Sequence, residues 1–341
     1  MSVTPTISLE KLAARFQLDP EPFQQVASRY PCRITRYYAD LIKAPGDPIW
    51  RQCVPLPEEL QDDLQLPDPL EEERLSPVPG LIHRYPDRVV LLVSNRCAVY
   101  CRFCMRKRQV GCGTLQCDLP AALAYLSAHT EVRDLVLSGG DPLLLRDDEL
   151  DQLLSALRRI PHLEIIRIGS RVPVTDPERI TPQLCAILAA HHPLYLNTHF
   201  NHPWELTKQA AQACNLLAGA GIVLGNQTVL LRGINDDLEV LQHLFCGLLR
   251  MRVRPYYLHQ MDLVQGTGHF RTDLEQGRQL IGALRGRISG MAIPHFVVDL
   301  AGGKGKVPLL PDLLYRDTVG WTITAPTGEQ VKYVDPVRDQ R

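Results

Sequence analysis

The chain lacks an excess of charge of either sign. Across 341 residues, 37 Lys and Arg stand against 38 Asp and Glu, with a pI near 6.8. A nucleic-acid binder would normally carry a basic excess or stripe, so the balance argues against that class. No hydrophobic run approaches the ~20 residues needed to span a bilayer, so no membrane association is expected. The opening M-S-V-T-P-T-I-S-L-E-K-L lacks the basic-then-apolar layout of a secretion signal. A cytoplasmic protein is the expectation. Internal repeats and low-complexity tracts are missing as well. Apolar residues are not scarce: 45% hydrophobic and 22% charged is the balance of a globular protein, not of a disordered chain.

Ten cysteines are present, at 32, 53, 97, 101, 104, 112, 117, 185, 214 and 246. Cytosolic thiols stay reduced, which makes a disulfide framework the poorer explanation. Seven are scattered and read as small, buried apolar residues. The other three form N-R-C-A-V-Y-C-R-F-C, a C-x3-C-x2-C triplet of Cys97, Cys101 and Cys104 directly after a strand-like run. Close spacing lets one loop wrap an iron–sulfur cluster, and three thiolates on four irons leave one iron open to a ligand. Structural zinc prefers four ligands in two close pairs. Cys112 and Cys117 could complete such a set only at irregular spacing, and they remain unexplained.

The first 80 residues read as short helices (9–16, 22–28, 37–42) followed by a proline- and acid-rich strap over 55–79, suited to a surface. From residue 88, strand-like runs (88–94, 134–138, 164–169, 194–198, 222–230, 253–259, 295–299) alternate with helical segments near 119–129, 148–159, 182–191, 205–219, 237–250 and 274–286. Asp147, Thr181, Asp236 and Thr272 are the expected N-caps. This alternation implies a parallel sheet with helical crossovers. Unusual residues fall at strand C-terminal ends, the place where β/α barrels assemble sites. The fold class is therefore α/β, a partial or complete parallel barrel. Its expected divisions are a helical region with strap over 1–85, a barrel over 86–300, and a lysine loop with a closing hairpin over 301–341.

The triplet with Phe103 before its third cysteine resembles the radical S-adenosylmethionine (SAM) superfamily. S-P-V-P-G-L-I-H-R-Y-P-D-R, L-S-G-G-D, R-I-G-S-R, L-N-T-H-F-N-H-P, G-N-Q-T-V-L-L-R-G-I-N-D, R-V-R-P-Y-Y-L and G-H-F-R-T together resemble the lysine 2,3-aminomutase family. The resemblance spans roughly residues 30 to 335. It implies a [4Fe-4S] cluster on the three cysteines, and SAM against Phe103, Ser138, Gly139, Gly140, Asp141, His199 and Gln227. It also implies pyridoxal 5′-phosphate (PLP), with its phosphate at Arg84, Tyr85 and Arg88. An electron donor such as flavodoxin or ferredoxin is implied too, and a homo-oligomer is possible for this family. Zinc-binding cysteines found in relatives are lacking: Asp237 stands at one such position, so no zinc site is expected.

Read as residues alone, two glycines before Asp141 permit close backbone approach or a plain tight turn. Two arginines four apart can clasp a phosphate or sit in surface ion pairs. A lysine in the glycine-rich D-L-A-G-G-K-G-K-V-P can reach a cofactor aldehyde and condense with it. The family carries four glycines before that lysine. Here Lys304 interrupts them and Ala301 replaces a proline, which leaves Lys304 beside the preferred Lys306. The resemblance makes Arg106 the anchor of an amino-acid carboxylate, for which a planar fork is apt. It makes Asp262 and Asp299 the carboxylates that hold a side-chain ammonium, and one of them could instead partner the PLP ring nitrogen. The implied activity is migration of the α-amino group of L-lysine to give L-β-lysine, either for lysine metabolism or for modification of a translation elongation factor. The rival expectations are the same chemistry on another amino acid and a non-catalytic metal-binding scaffold.

Overall fold

The computed structural model describes residues 5–62, 65–113, 117–310, 313–316, 321–325 and 327–333. The N-terminal region pairs β1 (Thr6–Ile7) with β2 (Ile34–Thr35) and carries α1 (Leu9–Arg15), α2 (Glu21–Arg29), α3 (Arg36–Asp40) and α4 (Pro48–Cys53). A hairpin of β3 (Leu81–Tyr85) and β4 (Arg88–Ser94) follows. The chain then alternates α5 (Leu119–Ala128), β5 (Asp134–Gly139), α6 (Asp147–Arg158), β6 (Ile165–Gly169), α7 (Val172–Thr175), α8 (Pro182–Ala189) and β7 (Leu194–Thr198). It continues through α9 (Lys208–Gly219), β8 (Val223–Leu230), α10 (Leu238–Arg250), β9 (Arg254–Gln260), α11 (Leu274–Leu284), β10 (His295–Leu300) and β11 (Gly305–Pro308). A separate antiparallel sheet of β12 (Leu314–Arg316), β13 (Trp321–Thr324) and β14 (Gln330–Tyr333) closes the described chain. It contains the expected hairpin and one further strand; the end of that hairpin at 334 lies outside the described residues.

Strands β3 to β11 form one nine-stranded sheet in chain order. Strands β4 to β10 are parallel, while β3 and β11 are antiparallel edges. The edges are not paired with each other among the described residues, so the barrel is partial. Its gap is bridged where the Lys306 backbone N–H donates to Tyr85 Oη at 2.8 Å. The sheet thus runs past both expected divisions, from Leu81 to Pro308.

The two faces of the sheet differ, because successive strand residues point to opposite sides. Leu135, Leu137, Ile166, Ile168, Leu194, Leu196 and Leu258 pack outward against Leu150, Leu154, Leu184, Leu188, Leu244 and Leu248 of the helices. Each such burial contributes about 1.5–3 kcal/mol. The alternate positions are half-buried and mostly polar, with Ser138, Arg167, Tyr195, Asn197, Gln227, Tyr257 and His259 interspersed with Val90, Val136 and Val229. The inner face is therefore a mostly polar lining rather than a second apolar core.

Local chemistry moved several expected boundaries. Thr181 caps α8, accepting from the Leu184 N–H. Asp147 is instead the first residue of α6, with Arg146 ahead of it. Asp237 caps α10, whereas Asp236 accepts from the Gly233 N–H at 2.7 Å. Asp273 precedes α11, since the Thr272 carbonyl is occupied by Gln260 Nε2 at 2.6 Å. Residues 203–205 form a separate 3-10 turn, and Thr207 then caps α9.

Candidate active site

The cysteine triplet lies on the loop after β4, and buried ion pairs fix its shape. Arg102, between the second and third cysteines, is 1% exposed. Its Nε and Nη2 donate to Glu59 at 2.9 and 2.5 Å, and Nη1 donates to the Pro31 carbonyl at 2.9 Å. Lys107 reaches the same Glu59 carboxylate at 2.6 Å and donates to the Arg102 carbonyl at 2.7 Å. The loop cannot shift without leaving a charge buried and unpaired, which is strongly unfavourable.

The three thiols are free, half-buried and electrostatically coupled. Burial, then the Asp141 carboxylate and the other two thiols, push Cys97 well above the usual thiol range. Burial and Cys101 push Cys104 up to about 11. A bound metal cluster would reverse that preference, since coordination deprotonates thiols. Arg171 supplies a cation at the second thiol, donating from Nη1 to Cys101 Sγ at 2.8 Å. The same guanidinium donates from Nη2 to Gln52 Oε1 at 2.5 Å, Glu205 Oε1 at 2.7 Å and Tyr38 Oη at 3.0 Å. A loop of three unpaired thiols beside a fixed cation fits an anionic iron–sulfur cluster.

Gly139 and Gly140 are required by backbone approach. A Cβ at Gly139, where φ is +115°, would lie 2.3 Å from the Ser94 carbonyl oxygen; one at Gly140 would lie 2.5 Å from that of Arg96. The Gly140 and Asp141 N–H groups donate to those two carbonyls at 2.5 and 2.8 Å. The motif therefore stitches the end of β5 to the start of the cysteine loop. Asp141 faces the turn after β6: it accepts from Ser170 Oγ at 2.7 Å, the Arg171 N–H at 2.8 Å and the Leu143 N–H at 3.1 Å. Burial outweighs these bonds and raises its carboxyl to about 6.

Phe103 packs between cations and rings, with Arg171 over its face at 5.2 Å and the His199 ring centroid at 5.4 Å. Burial, then Arg171 and His259, hold His199 well below the usual imidazole range, and its buried Nε2 has no partner among the described residues. An orphaned buried ring nitrogen is a group that a polar ligand would satisfy. Gln227, on the inner face of β8, makes no side-chain hydrogen bond to another described residue.

Lys306 opens the second half of the site. Gly302, Gly303 and Gly305 all have positive φ, which lets the loop after β10 turn back sharply. The turn registers Lys306 opposite Asp299 in the β10–β11 pair. Lys306 Nζ donates to Asp299 Oδ2, lies 3.2 Å from His259 Nδ1, and stands 5.2 Å over the Tyr257 ring. Arg84 approaches the same Asp299 at 3.6 Å. Burial opposes ionisation of Asp299, but the hydrogen bond with His259 and the Lys306 charge hold its carboxyl well below the usual range. Lys304 is exposed. Of the two arginines read as a phosphate clasp, Arg84 is inside the site. Arg88 is exposed, paired with Asp87 at 3.0 Å, and lies 4.8 Å from the Tyr85 ring.

Arg106 is 9% exposed and donates from Nε and Nη2 to Glu72 at 3.0 and 2.7 Å, and from Nη1 to Ser138 Oγ at 3.0 Å. Asp262 has no hydrogen-bond or ion-pair partner among the described residues. Burial, then Asp299, raise its carboxyl to about 7, against the attraction of Lys306 and Arg84.

Sequence reasoning missed Glu59, Glu72, Arg171 and His259 as members of the site. Glu72 and Glu59 sit in an acid-rich stretch that read as surface strap, yet they are 4% and 1% exposed. The strap instead crosses the mouth. The Gly302 N–H donates to the Pro69 carbonyl at 2.8 Å, the Leu66 N–H to that of Leu263 at 3.3 Å, and Arg108 pairs with Asp68 at 3.0 Å. Arg171 and His259 did carry a signal, since each lies at or just after a strand's C-terminal end.

Residues 91–244 match the family model described as the Radical SAM superfamily, and residues 281–323 the one described as Lysine-2,3-aminomutase. The L-lysine 2,3-aminomutase of Fusobacterium nucleatum is 52% identical over 284 residues, 82% of this chain and 67% of that protein. That of Bacillus subtilis is 50% identical over 288 residues, 83% of this chain and 61% of that protein. The glutamate 2,3-aminomutase of Clostridioides difficile is 42% identical over 317 residues, 92% of this chain and 75% of that protein.

Proposed function

The chain belongs to the lysine 2,3-aminomutase family of radical SAM proteins, and on that premise we propose that it interconverts L-lysine and L-β-lysine by 1,2-migration of the amino group. When bound, the cluster and SAM supply a carbon radical that takes and returns hydrogen, while PLP carries the migrating nitrogen. Cys97, Cys101 and Cys104 hold the cluster. Phe103, Ser138, Gly139, Gly140, His199 and Gln227 line the SAM side, with Asp141 bracing the turn behind them. Lys306 is the PLP lysine, half-buried on Asp299 and His259, in preference to the exposed Lys304. Arg84, Tyr85 and Arg88 serve the phosphate. A small reduced carrier such as flavodoxin or ferredoxin supplies the electron.

The observation that carries the substrate assignment is the arrangement of charge around Lys306. Arg106 offers a guanidinium for the α-carboxylate. Asp262, unpartnered among the described residues, lies within electrostatic reach of Asp299, and together they favour a side-chain ammonium over a side-chain carboxylate. Tight orientation of both ends holds the β-carbon in place for hydrogen removal, and such positioning can contribute several kcal/mol to a rate.

The test is an anaerobic assay of the reconstituted protein with SAM, dithionite and PLP, offering L-lysine and L-glutamate separately, with products separated by chiral chromatography. β-Lysine from lysine and no product from glutamate is the expected result. Conversion of glutamate with lysine untouched would overturn the substrate assignment. A fully iron-loaded sample that forms neither product nor deoxyadenosine would favour the scaffold.

A further inference from the structure

The pairing of Arg106 with Glu72 has a donor count that bears on how the site grips an amino acid. A guanidinium has five N–H donors. Glu72 takes the Nε–H and one N–H of Nη2, at 3.0 and 2.7 Å, and Ser138 Oγ takes one N–H of Nη1 at 3.0 Å. One N–H on each of Nη1 and Nη2 is left without a described partner, beside Ser138 on the inner face of β5.

Glu72 is itself a fixed group. It is 4% exposed, and its own carbonyl accepts from Ser76 Oγ at 2.7 Å. The flanking strap residues are tied to three other parts of the mouth. Arg108 of the cysteine loop pairs with Asp68 and Glu73, at 3.0 and 3.2 Å. The lysine loop is joined through Gly302 to Pro69, and the loop after β9 through Leu263 and Gln265 to Leu66. A carboxylate anchored this firmly sets the plane of the guanidinium it binds side-on.

We propose that Glu72 is a positioning residue that locks Arg106 side-on, so that its two remaining Nη donors are presented to the α-carboxylate of the amino-acid substrate. The inference rests on Arg106 being that anchor. Glu72 stays in place when substrate binds, and it acts only through Arg106. It therefore matters for ligands that bear an α-carboxylate and not for those that lack one.

The experiment measures, by calorimetry, the affinity of PLP-loaded, cluster-reconstituted protein for L-lysine and for 1,5-diaminopentane, which is lysine without its carboxylate. Wild type, Glu72→Gln, Glu72→Asp and Arg106→Gln are compared. Glu72→Gln removes one of the two acceptors and should weaken lysine at least about tenfold, or ~1.4 kcal/mol. The diamine should change by less than about twofold, the criterion for an effect confined to the carboxylate end. Should Glu72→Gln fail to hold iron and PLP, Glu72→Asp retains the charge at shorter reach and should show a smaller weakening of lysine alone. Unchanged or tighter lysine binding in the Glu72 variants, with Arg106→Gln weakened, would overturn the inference and leave the anchor standing. Tighter binding would identify Glu72 as a competitor for Arg106. Equal losses for both ligands would make Glu72 a general structural group and also overturn it. Lysine affinity unaffected by Arg106→Gln would remove the anchor and the inference together.

Discussion

In the proposed substrate site, Asp262 would tie substrate choice to pH. Burial and the neighbouring Asp299 raise its carboxyl from 3.8 to about 7. The ionised form, which attracts an ammonium, is therefore the minority below that pH. Affinity for L-lysine should fall as pH drops through about 7, and Asp262→Asn should both weaken lysine and flatten that part of the profile. Stability runs the other way. A carboxyl raised in the fold contributes stability that is lost as pH rises through its folded value. Asp262→Asn should therefore raise the Tm more at pH 8 than at pH 4, as read by calorimetry. An unchanged lysine profile would remove Asp262 from the substrate site. Legibility at this scale was uneven. The cysteine spacing states its chemistry within eight consecutive residues of chain. Asp262 and Arg106 were legible only through resemblance, because a lone acid or arginine has no local signature.

At the scale of elements, the decisive contact is the crossing of the β5 end over the start of the cysteine loop. Both glycines there face backbone carbonyls, which have no rotamer with which to yield. Gly139→Ala would need a left-handed conformation as well as room, and should cost at least about 2 kcal/mol. The loop would be pushed off the strand, so iron and sulfide content per chain should fall along with the Tm. Wild-type iron retention in this variant would mean that the loop is held by other contacts. The helices and parallel strands were legible because periodicity is a local property. Their ends were less so. Asp236 and Asp237 are equally good caps in sequence, and the Gly233 turn decided between them by taking Asp236.

For the whole molecule, the N-terminal region is a structural part of the cysteine loop. Glu59 neutralises both Arg102 and Lys107, and Gln52 and Tyr38 meet Arg171, which touches Cys101. Glu59→Gln leaves two buried cations short of a counter-charge and should destabilise by about 3–5 kcal/mol. Urea unfolding should show one cooperative transition at a lower midpoint. A separate early transition would mean that the N-terminal region is an independent unit. Cluster loss should accompany the transition, since the loop and its clamp unfold together.

The sequence by itself determined what depends on near neighbours: the strand–helix alternation, the thiol triplet, and the glycine-rich loop that ends at Lys306. Only the tertiary structure decided which carboxylate meets which cation. Glu59, Glu72 and Asp299 look alike in sequence, but one pins the cysteine loop, one grips Arg106 and one holds Lys306. The physical reason is that an ion pair depends on distance and burial: Glu59 and Glu72 meet arginines 43 and 34 residues further along the chain, and Asp299 meets Lys306 only because the turn between them sets β11 against β10.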